Sequence, residues 1–92
     1  MSEVRRTCTI VNQRGLHARA SAKFVSAVAV LPDGCSVRVV KDGNEAGGAS
    51  ILGLMMLGAA RGDTIEVVVA GDDSEAVLDQ LCGLIDGGFG ED

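Results

Sequence analysis

Asn12-Gln13-Arg14-Gly15-Leu16-His17-Ala18-Arg19-Ala20-Ser21-Ala22-Lys23-Phe24 decides how this chain is to be read, because a strand pattern ends and a helix pattern begins inside it. Upstream, Thr7 to Val11 reads as a strand; downstream, Ala18, Ala22, Val25 and Ala29 recur at helical spacing while Arg19, Lys23 and Ser26 form a polar stripe. His17, the only histidine of the chain, is thereby placed at or just before a helix N-terminus. The first turn of a helix leaves backbone N–H groups unpaired and carries a partial positive charge, which disfavours a proton on a neighbouring imidazole and attracts an anion. Neutral imidazole is a nucleophile, and a phosphoryl group on it would meet the amides of Ala18 and Arg19 and the Arg19 guanidinium. A lone His-x-Arg also fits a plain helix cap, so the frame around it has to separate the two readings.

Outward from that junction the order of elements is β-α-β-β-α-β-α. Strand one covers about 4–11 and helix one about 18–30, ended by Pro32-Asp33-Gly34. A second strand, Cys35 to Val40, turns Val37 and Val39 inward and Ser36 and Arg38 to water, and Asp42-Gly43 signals a hairpin into a short third strand near Asn44 to Ala46. Ser50 can cap a short helix to about Leu57. The fourth strand, Asp63 to Ala70, puts Ile65, Val67 and Val69 on one face and Thr64 and Glu66 on the other. After a turn and helix cap at Gly71-Asp72-Asp73-Ser74, the last helix buries Val77, Leu78, Leu81, Leu84 and Ile85, and Gly87-Gly88 ends it. The tail Gly90-Glu91-Asp92 is expected to fray. Amphipathic helices and half-buried strands in this order fit an α+β open-faced sandwich: a four-stranded antiparallel sheet with three helices on one face and a solvated opposite face bearing Thr7, Thr9, Ser36, Arg38, Thr64 and Glu66.

A chain of 92 residues makes a single domain, large enough for one core and too small for a deep cleft. Hydrophobic residues are 47% of it, yet Phe24 and Phe89 are the only aromatics, so the core is expected to be small and aliphatic. No segment is apolar enough to cross a membrane, and Met1-Ser2-Glu3-Val4-Arg5-Arg6 is not followed by a signal-peptide core; the chain reads as cytoplasmic, with no membrane insertion. A net charge of -5 and the lack of stacking aromatics argue against nucleic acid, although Arg14, Arg19 and Lys23 make the histidine stretch locally basic. Cys8, Cys35 and Cys82 are odd in number and widely spaced, which fits buried free thiols on apolar stripes better than a disulfide framework or a zinc site. No metal or cofactor is called for.

Two separated motifs supply the missing frame. Asn12-x-x-Gly15-Leu16-His17-Ala18-Arg19 closely resembles the phosphorylation site of HPr, the histidine-containing phosphocarrier of the phosphoenolpyruvate-dependent phosphotransferase system, and Ala49-Ser50-Ile51-Leu52-Gly53-Leu54-Met55-Met56-Leu57-Gly58 looks like that family's regulatory-serine helix. The likeness covers essentially the whole chain and supplies the sheet order. It implies a monomeric relay that takes a phosphoryl group from enzyme I on His17, with Arg19 and the Ala18 and Arg19 amides stabilising it, and hands it to enzyme IIA domains. It further implies Ser50 as a target of HPr kinase/phosphorylase and Ile51, Leu52 and Met55 as a docking surface, with Leu54, Met56 and Leu57 on the core-facing and flanking sides. One departure is Ala20, where most members carry proline; alanine is the best helix former, so the helix start is expected to survive. From Ile51 to Ala60 no side chain is charged or hydrogen-bonding, and a domain this small cannot bury every side of such a helix, which points to a partner surface. The rival reading is a purely regulatory module of the same fold, controlled at Ser50; a small ligand-binding domain would leave His17, Arg19 and Ser50 without a reason.

Overall fold

The alternating segments pair as one four-stranded antiparallel sheet in a computed structural model that describes residues 3–91. Strands β1 (Glu3–Thr9), β2 (Ser36–Lys41), β3 (Asn44–Gly47) and β4 (Thr64–Ala70) lie in the order β1-β4-β2-β3, and helices α1 (Ala18–Ala29), α2 (Ile51–Met56) and α3 (Ser74–Asp86) cover one face. This is the α+β open-faced sandwich anticipated from the pattern. The most apolar strand, β4, takes a central place, with Val69 paired to both Val4 and Val37. Between β2 and β3, Asp42 (φ 51°) and Gly43 (φ 82°) form a two-residue loop with both central residues at positive φ, which is the hairpin turn that Asp-Gly favours. No helix among the described residues is long and apolar enough to cross a membrane.

Several local expectations need correction. The face α1 buries is Ala20, Ser21 and Phe24, not the stripe through Ala18, Ala22, Val25 and Ala29, of which Ala18 and Ala29 are exposed. Ser21 hides the true face because it is polar, yet its hydroxyl donates to the Leu16 carbonyl at 3.2 Å and so can be fully buried. On the outer face of the sheet, Val68 is buried: it pairs with Arg5 on one side and Arg38 on the other. Glu3 binds both arginines, Glu66 holds Arg5 and Glu45 holds Arg38, so the aliphatic stems roof the valine while the charged heads stay in water. The hydrogen bonds from Arg38 and Arg5 hold the Glu3 carboxyl below the usual carboxylate range.

At the start of α3 the capping residue Asp73 is left-handed (φ 56°) and makes no side-chain cap bond, so the turn is not the capping motif its sequence suggests. Finally, the tail does not fray before Glu91. Phe89 is fully buried in the core, and the Gly90 and Glu91 amides donate to the carbonyls of Gly87 and Gly88 at 3.2 and 3.0 Å. A Gly-rich terminus reads as loose, but one of the chain's only two aromatics draws it in; Asp92 lies outside the described residues. Cys8 on β1 and Cys82 on α3 are buried free thiols with sulfurs 3.0 Å apart, and burial, then the bond to Cys82, pushes the Cys8 thiol up to about 12. Thiols held protonated in this way are poor nucleophiles. Cys35 is only half-buried, ahead of β2, with its thiol 3.2 Å from the Asp72 carbonyl.

The junction before α1 is latched to the loop after α2. Leu16 is buried, its amide donates to the Ala59 carbonyl at 3.0 Å, and Gly15 (φ 64°) passes so close to Ala59 and Ala60 that a Cβ would overlap the same carbonyl oxygen. Glycine is needed here twice, for its left-handed backbone and for the space. Gly15→Ala is expected to lower unfolding free energy by at least about 1 kcal/mol in denaturant titration. A loss of only a few tenths would show that the latch is not under this constraint.

Candidate functional site

His17 is the N-cap residue of α1: its backbone is extended (φ -73°, ψ -178°) and its Nδ1 accepts from the Arg19 amide at 3.2 Å. An imidazole thus takes the capping place usually held by Ser, Thr, Asp or Asn. Proline is absent at the third helical position, and Ala20 continues the helix without a break, fully buried against the core. On the other side of the ring, Nε2 lies 2.6 Å from the Glu91 carboxylate. The two contacts agree on one tautomer. A carboxylate can only accept, so the proton of the neutral ring sits on Nε2, leaving the Nδ1 lone pair toward the helix start.

Glu91 is itself held in place. Asn12 donates through Nδ2 to Glu91 Oε1 at 3.1 Å and to the Gly15 carbonyl at 2.8 Å, and Lys23 donates to the Phe89 carbonyl at 2.6 Å. Partial burial would push the Glu91 carboxyl up, but the bonds from Asn12 and His17 outweigh it and hold the carboxyl below its usual range. The carboxylate is therefore ionised when it meets the ring. Asn12 is nearly fully buried, and its Oδ1 finds no protein donor among the described residues. The His17 and Glu91 side chains are each 17% exposed, so the ring is largely covered, in part by the tail, yet keeps some contact with solvent.

Of the other residues singled out, Arg19 is exposed, and among the described residues its guanidinium makes no ion pair. Its amide is already engaged by His17 Nδ1, whereas the Ala18 amide has no such bond. Ser50 caps α2 through a 2.9 Å bond from the Gly53 amide to its hydroxyl and is exposed; no hydrogen bond joins it to His17 among the described residues. On α2, Ile51, Leu52 and Met55 are exposed while Leu54 and Leu57 face the core. Met56 departs from the flanking place assigned to it: at 77% it is the most exposed residue of the helix. Leu54 and Leu57, three apart, suffice to anchor one face, and everything else on this single short helix points away. Sequence reasoning missed Glu91 and, although it quoted Asn12 and Lys23, missed their contacts to the tail. The signal that could have found them was Phe89, an aromatic two residues before the acid and thus a tether for it.

A histidine at a helix start on an open-faced sandwich defines a class, and comparison with known proteins agrees. The model of the PTS HPr component phosphorylation site matches residues 4–86. The chain is 38% identical to the phosphocarrier protein NPr of Shewanella violacea over 99% of this chain and 98% of that one, and 41% identical to the phosphocarrier protein HPr of Neisseria meningitidis over 96% and 97%. In structure it is similar to HPr from Thermoanaerobacter tengcongensis, with a TM-score of 0.86 and 37% identity over 100% of this chain and 99% of that one. The chain belongs to the HPr family of phosphocarrier proteins of the phosphotransferase system.

Proposed function

We propose that His17 Nδ1 is the phosphoryl acceptor, that enzyme I is the donor and that enzyme IIA domains are the recipients. The single observation that carries this reading is the capping geometry: Nδ1 lies 3.2 Å from a helix-start amide that can only donate to it, while Nε2 faces the Glu91 carboxylate at 2.6 Å. When the Nδ1 lone pair attacks phosphorus, the bond to the donor breaks and the donor keeps its electron pair. The Arg19 amide, released from Nδ1 in the same step, is then free to donate to a phosphoryl oxygen. The Ala18 amide and the Arg19 guanidinium complete the stabilisation. Help of roughly 0.3–1 kcal/mol from a helix terminus suits reversible transfer better than a tight anion trap would. The protein acts stoichiometrically, as a cytoplasmic monomer; its site is an open surface around one ring, and catalysis belongs to its partners.

The exposed face of α2, Ile51, Leu52 and Met55 together with Met56, is the proposed docking surface. Flexible methionines suit a surface used by two partners in turn. The latch from Leu16 to Ala59 ties the histidine junction to the loop that follows this helix, so a partner seated on α2 lies beside the ring. Ser50 opens the same helix. Phosphorylated by HPr kinase/phosphorylase, it would add about -1.5 to -2 charges beside the apolar face and weaken docking. The rival reading, a purely regulatory module controlled by phosphorylation at Ser50, shares this surface but leaves the His17 cap geometry without a task.

Incubated with enzyme I, magnesium and phosphoenolpyruvate, the protein is expected to gain one acid-labile phosphoryl group that His17→Ala abolishes. Undiminished labelling of the alanine variant would sink the assignment. In the same assay at low salt, Met55→Glu and Ser50→Asp are both expected to slow uptake severalfold, because each puts a negative charge on the docking face, while Ser50→Ala loses about 1 kcal/mol of stability as a missing cap but keeps its uptake rate. Equal rates for all three would leave α2 as structure only.

A further inference from the structure

Glu91 stands outside the histidine motif, comes from the opposite end of the chain, and yet makes the shortest polar contact to the ring, 2.6 Å from Nε2. Three anchors bring it there: the buried Phe89 side chain, the Lys23 bond to the Phe89 carbonyl and the Asn12 bond to Oε1. The charged groups acting on this carboxylate are His17 itself and Lys23 of α1, with Asn12 as a neutral donor from the junction. The bonds from Asn12 and from His17 Nε2, with the Lys23 charge beyond them, favour the ionised acid.

We propose that Glu91 is a positioning residue that sets how readily phosphorylated His17 gives up its phosphoryl group, by keeping the proton on Nε2 throughout the transfer cycle. The inference rests on the reading of His17 Nδ1 as the acceptor. Once Nδ1 carries the phosphoryl group, a ring still protonated on Nε2 is a cation, and an adjacent carboxylate favours that form. When a nucleophile then attacks phosphorus, the P–Nδ1 bond breaks, its electron pair stays on Nδ1, and the ring leaves as neutral imidazole with its Nε2 proton still bonded to Glu91. Without that proton the ring would have to leave as imidazolate, a far poorer leaving group. With it, the ring neither gains nor loses a proton in loading or unloading, which keeps the relay reversible.

Hydrolysis of the isolated phosphorylated protein reads this directly, with water as the nucleophile, losing its proton to solvent. The native protein, Glu91→Ala and Glu91→Gln are phosphorylated with enzyme I and phosphoenolpyruvate, freed of enzyme I, and followed by phosphoryl loss across pH 5 to 10. In the native protein, rapid loss is expected to persist to higher pH. In both variants the fall-off is expected to begin about one pH unit lower, so that near the native midpoint their phosphoryl groups survive severalfold longer. Glutamine separates charge from shape: it keeps the volume and an acceptor oxygen, so a purely structural role would leave Glu91→Gln with the native profile, and that result overturns the inference. Lys23→Ala, which loosens the tail anchor but leaves the carboxylate, is expected to shift the profile less than Glu91→Gln; a larger shift would likewise overturn it. A native protein that takes no phosphoryl group would instead defeat the carrier reading itself, an outcome distinct from three coincident profiles.

Discussion

The contact of Gly15 and Leu16 with the Ala59 carbonyl is the constraint on which the rest of the site depends. It holds the chain at a left-handed residue just before α1, which then starts at a residue whose side chain serves as its cap. Because that residue is His17, the cap bond and the orientation of the imidazole become the same interaction. The latch also joins the junction to the end of α2, so the ring and the exposed apolar face of that helix are held by one piece of backbone rather than by two independent loops.

Charge around the ring is arranged asymmetrically. On the Nδ1 side are helix-start amides and the exposed Arg19; on the Nε2 side is an ionised acid held by Asn12 and by a tail that Phe89 and Lys23 anchor. An anion arriving at Nδ1 therefore meets donors, while the carboxylate lies across the ring from it. Other acidic residues do other work: Glu3, Glu45 and Glu66 pair with Arg5 and Arg38 on the far face of the sheet, and Asp79 pairs with Arg6, exposed contacts that water screens.

Periodicity made the sheet legible, since Ile65, Val67 and Val69 or Val37 and Val39 alternate with polar residues, and Asp42-Gly43 marked its hairpin. What escaped was set by partners distant in sequence. Val68 is buried by arginines from two neighbouring strands, Ser21 by a bond to a carbonyl five residues earlier, and Glu91 is ordered by contacts to Asn12 and His17, which no local pattern announces. The place of His17 at a helix start was legible because a strand pattern gives way to a helix pattern around it, whereas the family resemblance, not local chemistry, singled it out from a plain cap. The second partner of the ring was not legible, because that partner arrives through the burial of Phe89.

The cap geometry of His17 makes Nδ1, not Nε2, the expected phosphoryl acceptor. Phosphorylated protein enriched in nitrogen-15 can be read by phosphorus–nitrogen and proton–nitrogen correlation spectra at neutral pH. The account predicts phosphorus coupled to Nδ1 of His17 and a proton on Nε2; phosphorus on Nε2 would require the Glu91 contact to be broken and the cap bond kept, and would contradict it.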